Sequence, residues 1–151
     1  FEKLHSFDIL KNVWIEDESR VIGKNILPIE MYNKMKRSPV IVLDLEKEKR
    51  VKHLVNMYSS CGKTFLSESL NKISKRIGKL MHQKALEALY KDDFETVASL
   101  ALHYYDKAYD KLLDEKKEMI KGRFRINSVS DNESVEKIIE FVNSEKDLWK
   151  I

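Results

Sequence analysis

Apolar positions along the chain form two short continuous runs, several stripes with helical spacing and one alternating segment. The runs are Val13–Ile15 and Val40–Leu43. Short apolar runs bounded by turn signals are typical of strands covered on both faces of a parallel sheet. Residues 123–129 alternate in the manner of a half-exposed strand. The pattern predicts three strands, near residues 12–15, 39–43 and 123–129.

Between the second and third predicted strands, apolar residues recur every three or four positions from Glu46 to about Asp114, as on the buried face of amphipathic helices. Strands alternating with helices predict an α/β domain with a parallel sheet, mostly helical by content. The helices are too many for one crossover, so we expect a helical subdomain or lid at 46–122, followed by the last strand and helix at 123–151. The predicted stripe residues are Val51, Leu54, Val55, Tyr58, Phe65, Leu66, Leu70, Ile73, Ile77, Ala85, Leu86, Leu89, Phe94, Val97, Ala98, Ala101, Leu102, Tyr105 and Tyr109.

Proline, glycine and short polar residues predict where several helices begin and end. Pro28 suits the first turn of a helix, and Pro39 ends that helix because it disfavours helical geometry in the residue before it. Gly78 is a typical C-terminal helix stop. Ser130 or Asp131 is expected to cap the last helix.

The segment Ser59–Thr64, SSCGKT, ends in the three letters that close a phosphate-binding P-loop. A P-loop, GxxxxGK[ST], also requires a glycine at the place of Met57 and a buried strand before it. The preceding residues instead have helical periodicity. We therefore expect a turn between two helices, with Gly62 as the stop and Cys61 as an ordinary turn residue rather than a reactive thiol.

Composition narrows the class of protein. The chain has 151 residues, with 28 Lys and Arg against 25 Asp and Glu, so its net charge of +3 permits a nucleic-acid partner without arguing for one. One cysteine excludes a disulfide framework and suits a cytoplasmic protein. No apolar run approaches the ~20 residues of a membrane span, and the four histidines lack zinc-ligand spacing.

The sharpest chemical feature is Glu16-Asp17, directly after the first predicted strand. In open α/β sheets, ligands bind at the carboxyl ends of the strands. In P-loop proteins, an acidic residue there holds Mg²⁺, often through water, or positions a nucleophile. A solvated strand end is the alternative interpretation.

Five separated segments occur in a specific order. They are Phe1-Glu2, WIEDESRVIGKNILP at 14–28, KRVKHLVNMY at 49–58, KRIG at 75–78 and LHYYDKAYD at 102–110. Together they resemble the C-terminal P-loop domain of the tRNA 2-selenouridine synthases over roughly residues 1–110.

The resemblance implies an enzyme that joins a rhodanese-like domain with a catalytic cysteine to a P-loop domain. It implies replacement of sulfur by selenium at the wobble 2-thiouridine of tRNA, from selenophosphate and through a geranylated intermediate that requires geranyl diphosphate. ATP or GTP with Mg²⁺ is a further expected ligand. This sequence shows neither the P-loop nor a rhodanese loop around Cys61. We therefore expect a partial P-loop sheet, in a fragment or split-gene product that is inactive alone.

Seven residues are candidates for the site. The resemblance makes Glu16 and Asp17 the catalytic pair, with Asp17 as metal ligand. Arg20 is expected to meet a phosphate or to pair with a neighbouring Glu, and Arg50 to point to an anion site or lie on a solvated face. Lys75 and Arg76 are expected to contact nucleotide or the tRNA backbone, and Tyr104 is expected to stack on a base.

Each of the last three candidates has a structural alternative. Basic residues at a helix C-terminus also suit the macrodipole. Tyr104 is expected to be the exposed tyrosine of its pair and to stack on an unpaired base, whereas Tyr105 and Tyr109 are expected in the core. For the whole chain, the alternative to an enzyme part is a helical module that binds tRNA, but not DNA, or another protein without chemistry.

Overall fold

The computed structural model describes residues 13–149, together with Asp8 and Lys11. The described part is a mostly helical α/β protein, as predicted. It divides into two compact units, one ending at Ser38 and the other beginning at Pro39.

The first unit contains a small hairpin and a helix. Strands β1 (Val21–Ile22) and β2 (Asn25–Ile26) pair antiparallel. Gly23 takes a φ of +61° in the two-residue turn, in the left-handed region where glycine has no steric penalty. Helix α1 (Ile29–Arg37) follows Pro28, as predicted. Ser38 is extended, with ψ 149°, which confirms that Pro39 ends this helix.

The buried strand predicted at 12–15 is wrong for its described residues. Val13–Ile15 has no regular structure, and its side chains are about half exposed. A strand is stable only where a neighbour satisfies its backbone hydrogen bonds, and no described strand pairs with this segment. Asn12 lies outside the described residues.

The second unit contains a parallel two-stranded sheet. Strand β3 (Val40–Asp44) pairs with β4 (Ile120–Arg125), matching Val42 to Arg123 and Asp44 to Arg125. The parallel sheet is thereby confirmed. The third strand begins three residues before, and ends four before, the predicted 123–129.

Four helices connect the two strands. They are α2 (Lys47–Tyr58), α3 (Lys63–Ile77), α4 (Lys79–Tyr90) and α5 (Phe94–Glu115). Helix α6 (Asn132–Ser144) follows β4 and packs on it, with the Phe124 and Phe141 rings 5.4 Å apart. Single turns of 3₁₀ helix occupy Ser59–Cys61, Lys117–Met119 and Lys146–Trp149.

The main core lies among α3, α4 and α5. Leu70, Ala85 and Leu89 are buried together, and Leu89 is fully inaccessible to solvent. Burying a leucine side chain contributes about 1.5–3 kcal/mol, so this cluster stabilises the helical subdomain directly. The partly buried residues around it are Leu66, Ile73, Leu86, Phe94, Val97 and Leu100.

The predicted starts and ends of the helices are largely confirmed. Gly62 and Gly78 separate α2–α3 and α3–α4, with φ of +81° and +83°. Of the two candidate caps, Asp131 precedes α6, and its carboxylate accepts hydrogen bonds from the amide (3.3 Å) and hydroxyl (2.7 Å) of Ser134.

Asp131→Ala is expected to destabilise the protein at neutral pH but not in acid. The amide of Asn127 and then the hydroxyl of Ser134 donate to the carboxylate, which lowers the pKa of Asp131. A lowered folded-state pKa gives stabilisation that is complete above the unfolded value of about 3.9 and is lost as pH falls through the folded value. The difference in melting temperature between the two proteins should therefore be constant above about pH 4 and shrink progressively below it, whereas Ser130→Ala should match wild type throughout. A pH-independent difference would contradict this.

Candidate functional site

The acidic segment lies in irregular backbone before the hairpin. Glu16 and Asp17 are both exposed, and the carbonyl of Glu16 accepts a hydrogen bond of 2.8 Å from the amide of Glu18. Exposed carboxylates on a tight turn can ligate a hard cation such as Mg²⁺, which is usually held by one or two carboxylates plus substrate phosphates. Within the described residues, no cluster of three or more Asp, Glu, His or Cys could hold a metal by itself.

Arg20 is engaged by the hairpin. Its Nε donates to the carbonyl oxygen of Leu27 at 3.1 Å, and the Leu27 amide donates to the Arg20 carbonyl at 2.9 Å. The side chain is otherwise exposed, close in sequence to Asp17. The Arg20 side chain thus stabilises the hairpin. Its Nε contacts the Leu27 carbonyl and neither Glu16 nor Glu18, the alternative partners.

Arg50 forms a bidentate ion pair with Asp106. Its two terminal nitrogens lie 2.5 and 3.1 Å from the two carboxylate oxygens, and both side chains are about one-third exposed. The hydrogen bonds that Arg50 donates to Asp106 raise the pKa of Arg50. Burial opposes this effect, and the negative charges of Asp106, Asp44 and Glu48 add to it. The anion that Arg50 meets in this structure is therefore a carboxylate of the chain itself, and binding of an external anion by Arg50 stays a prediction.

The ion pair joins two of the segments that carry the family resemblance. Arg50 lies in the first turn of α2 within KRVKHLVNMY, and Asp106 lies at the middle of α5 within LHYYDKAYD. Sequence reasoning missed Asp106. The only available signal was an aspartate within an otherwise aromatic helical stretch, since 56 positions separate the pair.

Lys75 and Arg76 lie exposed in the last turn of α3. The lysine of SSCGKT has a structural role instead: Lys63 Nζ donates to the carbonyl of Tyr90 (3.0 Å) and pairs with Asp92 (2.8 Å). This segment is a turn between helices, as predicted, and Cys61 within it is exposed.

The exposure predicted for the tyrosine pair is wrong. Tyr105 is 48% exposed and Tyr104 only partly so, with their rings edge to face at 5.5 Å. Helix α5 spans about 33 Å and α4 only about 18 Å, so α4 cannot cover the C-terminal half of α5, where Tyr105 and Tyr109 are exposed. The predicted core residues that are exposed are Tyr58, Phe65, Tyr105 and Tyr109.

A shallow pocket of about 200 Å³ lies at the carboxyl ends of β3 and β4, the edge at which open α/β sheets bind ligands. Its walls are apolar and hydroxyl side chains beside the start of α6. Because Asp131 already occupies the amide groups there, the pocket does not favour an anion. The lining residues are Leu43, Ile126, Ser128, Val129, Ser130, Asp131, Asn132, Ser134, Val135 and Ile138.

The predicted site residues thus divide between the two units. Glu16, Asp17 and Arg20 belong to the first, while Arg50, Lys75, Arg76 and Tyr104 belong to the second. Within the second unit the structure joins the helices that carry Arg50 and Tyr104, whereas Lys75 and Arg76 lie apart on α3. Among the helices described, none combines the length and apolar content that a membrane crossing requires.

Comparison with known proteins first identifies the class of domain to which part of the chain is similar. Residues 2–65 match the family model described as the tRNA 2-selenouridine synthase AAA domain. That match includes the acidic segment, β1, β2, α1, β3 and α2. No solved structure matches the chain.

Curated relatives carry the same name. The tRNA 2-selenouridine synthase of Shewanella woodyi is 30% identical over 70% of this chain and 37% of the relative. Those of Shewanella denitrificans and Shewanella pealeana are 26% and 28% identical, each over 73% of this chain and 38% of the relative. The chain is therefore a relative of the tRNA 2-selenouridine synthases, which confirms the resemblance, and it spans less than two-fifths of their length.

Proposed function

We propose that this chain is part of a tRNA 2-selenouridine synthase, a transferase that replaces sulfur by selenium at the wobble 2-thiouridine of tRNA through a geranylated intermediate. The observation that carries the proposal is the family match over residues 2–65, which contains the distinctive WIEDESRVIGKNILP. Selenophosphate and geranyl diphosphate are substrates of the whole enzyme, and we assign no described residue to them.

The sheet supports a partial P-loop domain. Within the described residues β3 pairs only with β4, so its other edge presents unpaired backbone amides and carbonyls. Val42 at the centre of β3 is nevertheless buried, as is typical of a strand in the interior of a sheet. We propose that the strand leading into the P-loop pairs with this edge, since an exposed apolar edge would otherwise promote aggregation.

Glu16 and Asp17 would supply carboxylate oxygens to the Mg²⁺ of a bound ATP or GTP. Their exposure and their place before a short hairpin suit a cation that retains several waters. A bound Mg²⁺ would neutralise phosphate charge. The chain's own contribution is to orient the two carboxylates, which the hairpin contact between Arg20 and Leu27 assists. A rhodanese-like domain or subunit would supply the catalytic cysteine.

The test is complementation of a bacterial strain that lacks 2-selenouridine synthase. The gene that encodes this chain in its natural context is expressed with a rhodanese-like partner where one is separately encoded, and bulk tRNA is digested for mass spectrometry. We expect 2-selenouridine in the presence of selenium and its loss when residues 13–22 are deleted. Absence of 2-selenouridine despite folded, expressed protein would refute the proposed function.

A second candidate is a helical module that binds tRNA or a protein without chemistry. It is favoured by SSCGKT, whose lysine pairs with Asp92 and is not available to a phosphate. Salt-sensitive tRNA binding that is unaffected by ATP, GTP and Mg²⁺, in a chain that never supports selenation, would favour the module.

A further inference from the structure

Helices α3 and α4 meet in a corner with strong positive charge. Residues 69–86 contain five Lys or Arg and neither Asp nor Glu. This basic corner consists of Lys72, Lys75, Arg76, Lys79 and Lys84, and all five are exposed. Elsewhere on the long helices acidic residues alternate with basic ones, as on the C-terminal half of α5.

The backbone fixes the arrangement of these cations. Lys72, Lys75 and Arg76 are spaced i, i+3 and i+4, so they share one face at the end of α3. Gly78, with φ +83°, allows α4 to begin at Lys79 with no intervening loop. A hydrogen bond of 2.9 Å between His82 and Asn71 ties the two helices together beside the corner.

None of the five cations forms an ion pair with a described residue. This separates them from Arg50, Lys63 and Lys137, which pair with Asp106, Asp92 and Glu133. The arginines of β4 are likewise neutralised, Arg123 by Asp44 at 3.5 Å and Arg125 by Glu46.

The helix macrodipole accounts for only part of the basic corner. The negative C-terminal end of α3 attracts Lys75 and Arg76. Lys79, in contrast, stands in the first turn of α4, where the dipole repels cations, and that turn has no acidic residue and no side-chain cap. Charges that repel one another without internal compensation fit an external anion.

We propose that the basic corner binds the phosphate backbone of the tRNA substrate. This rests on the proposed function and names the surface through which that substrate docks. Flexible lysines and one arginine along a helix edge suit a row of phosphates, since such contacts position a nucleic acid without reading its sequence. The corner therefore sets affinity and orientation, and selection of the wobble base belongs elsewhere.

Lys75→Gln with Arg76→Gln in the full chain tests the proposal. Each phosphate contact contributes about 0.7–0.9 to the slope of log affinity against log salt, so losing two should lower the slope by about 1.5 and weaken binding of unmodified tRNA by about tenfold near 0.1 M KCl. Fluorescence anisotropy across a KCl series measures both quantities. The matched control is Lys107→Gln with Lys111→Gln, two exposed lysines of α5 that alternate with aspartates, which should change affinity by less than about twofold.

The outcomes separate tRNA from other anions. Equal affinity and slope in wild type and the corner variant, with unchanged melting, would overturn the proposal. Wild-type binding to phosphatidylserine vesicles or polyglutamate as tight as to tRNA would also overturn it. If the wild-type chain produces no 2-selenouridine in the complemented strain, the proposed function is refuted. If the corner variant produces normal 2-selenouridine and has an unchanged KM for tRNA, only the docking surface is refuted.

Discussion

Glu16→Gln with Asp17→Asn is expected to lower 2-selenouridine formation by at least about 100-fold, because the substitution removes both anionic ligands proposed for Mg²⁺ and leaves phosphate charge without compensation. Both side chains are exposed and lie outside regular structure, so the melting temperature should stay within about 2 °C of wild type. The readout is 2-selenouridine per tRNA in the complemented strain, together with thermal melts of the purified proteins.

The matched control is Asp110→Asn with Asp114→Asn. It also removes two exposed carboxylates, but from α5 and outside the family-matched residues 2–65. We expect near-normal selenation for this variant. Full activity in the Glu16/Asp17 variant would eliminate the acidic-pair assignment, and equal losses in both variants would show that the effect is one of general charge.

Arg50→Ala is expected to lower the free energy of unfolding by about 2 kcal/mol, between the ~1 kcal/mol of exposed pairs and the 3–5 kcal/mol of fully buried ones. The truncation leaves Asp106 partly buried without its bidentate donor. For a chain of this length the melting temperature should fall by about 4–8 °C.

A double-mutant cycle isolates the pair. Arg50→Ala, Asp106→Ala and their combination should give a coupling energy of about 1–2 kcal/mol. Lys49→Ala is the control, since its 4.0 Å pair with Glu46 is exposed and should contribute less than about 0.5 kcal/mol. A coupling near zero, measured by urea unfolding, would mean that α2 and α5 are held together by packing alone.

Sequence periodicity and turn residues predict much of the second unit. Val40–Asp44 is an apolar run before a helix, and parallel pairing follows because a long helical connection separates it from β4. Gly62, Gly78 and Asp131 act where local chemistry requires them, the glycines at positive φ and the aspartate as an N-cap. The glycine turns and the cap depend on neighbouring residues only.

Features that depend on distant neighbours were not predictable in the same way. Val13–Ile15 has the composition of a buried strand but no described strand beside it. Conversely, Val21–Ile22 and Asn25–Ile26 form a hairpin that their short apolar content did not indicate. Periodicity identifies an apolar face without showing how far its covering helix extends, which explains the exposed Tyr105 and Tyr109.

The same limit applies to the candidate site. The acidic pair follows from residue type and position along the chain, but the partner of Arg50 lies 56 residues away and has no local signature. The unneutralised charge of the basic corner is visible in the sequence between Glu68 and Glu87. The structure adds the contrast with Arg50, Lys63 and Arg123, each of which has a carboxylate partner.

The long connection between β3 and β4 has a consequence for the order of folding. Residues 45–119 separate the paired strands, so closing the sheet directly from an unfolded chain would carry a large loop entropy. Contacts among α2–α5 are more local in sequence and form faster. Once Arg50 on α2 meets Asp106 on α5, most of that loop is already closed and β4 starts a short distance along the chain from α5. The helical subdomain would then serve as the folding nucleus, and the sheet that carries the candidate pocket would assemble last.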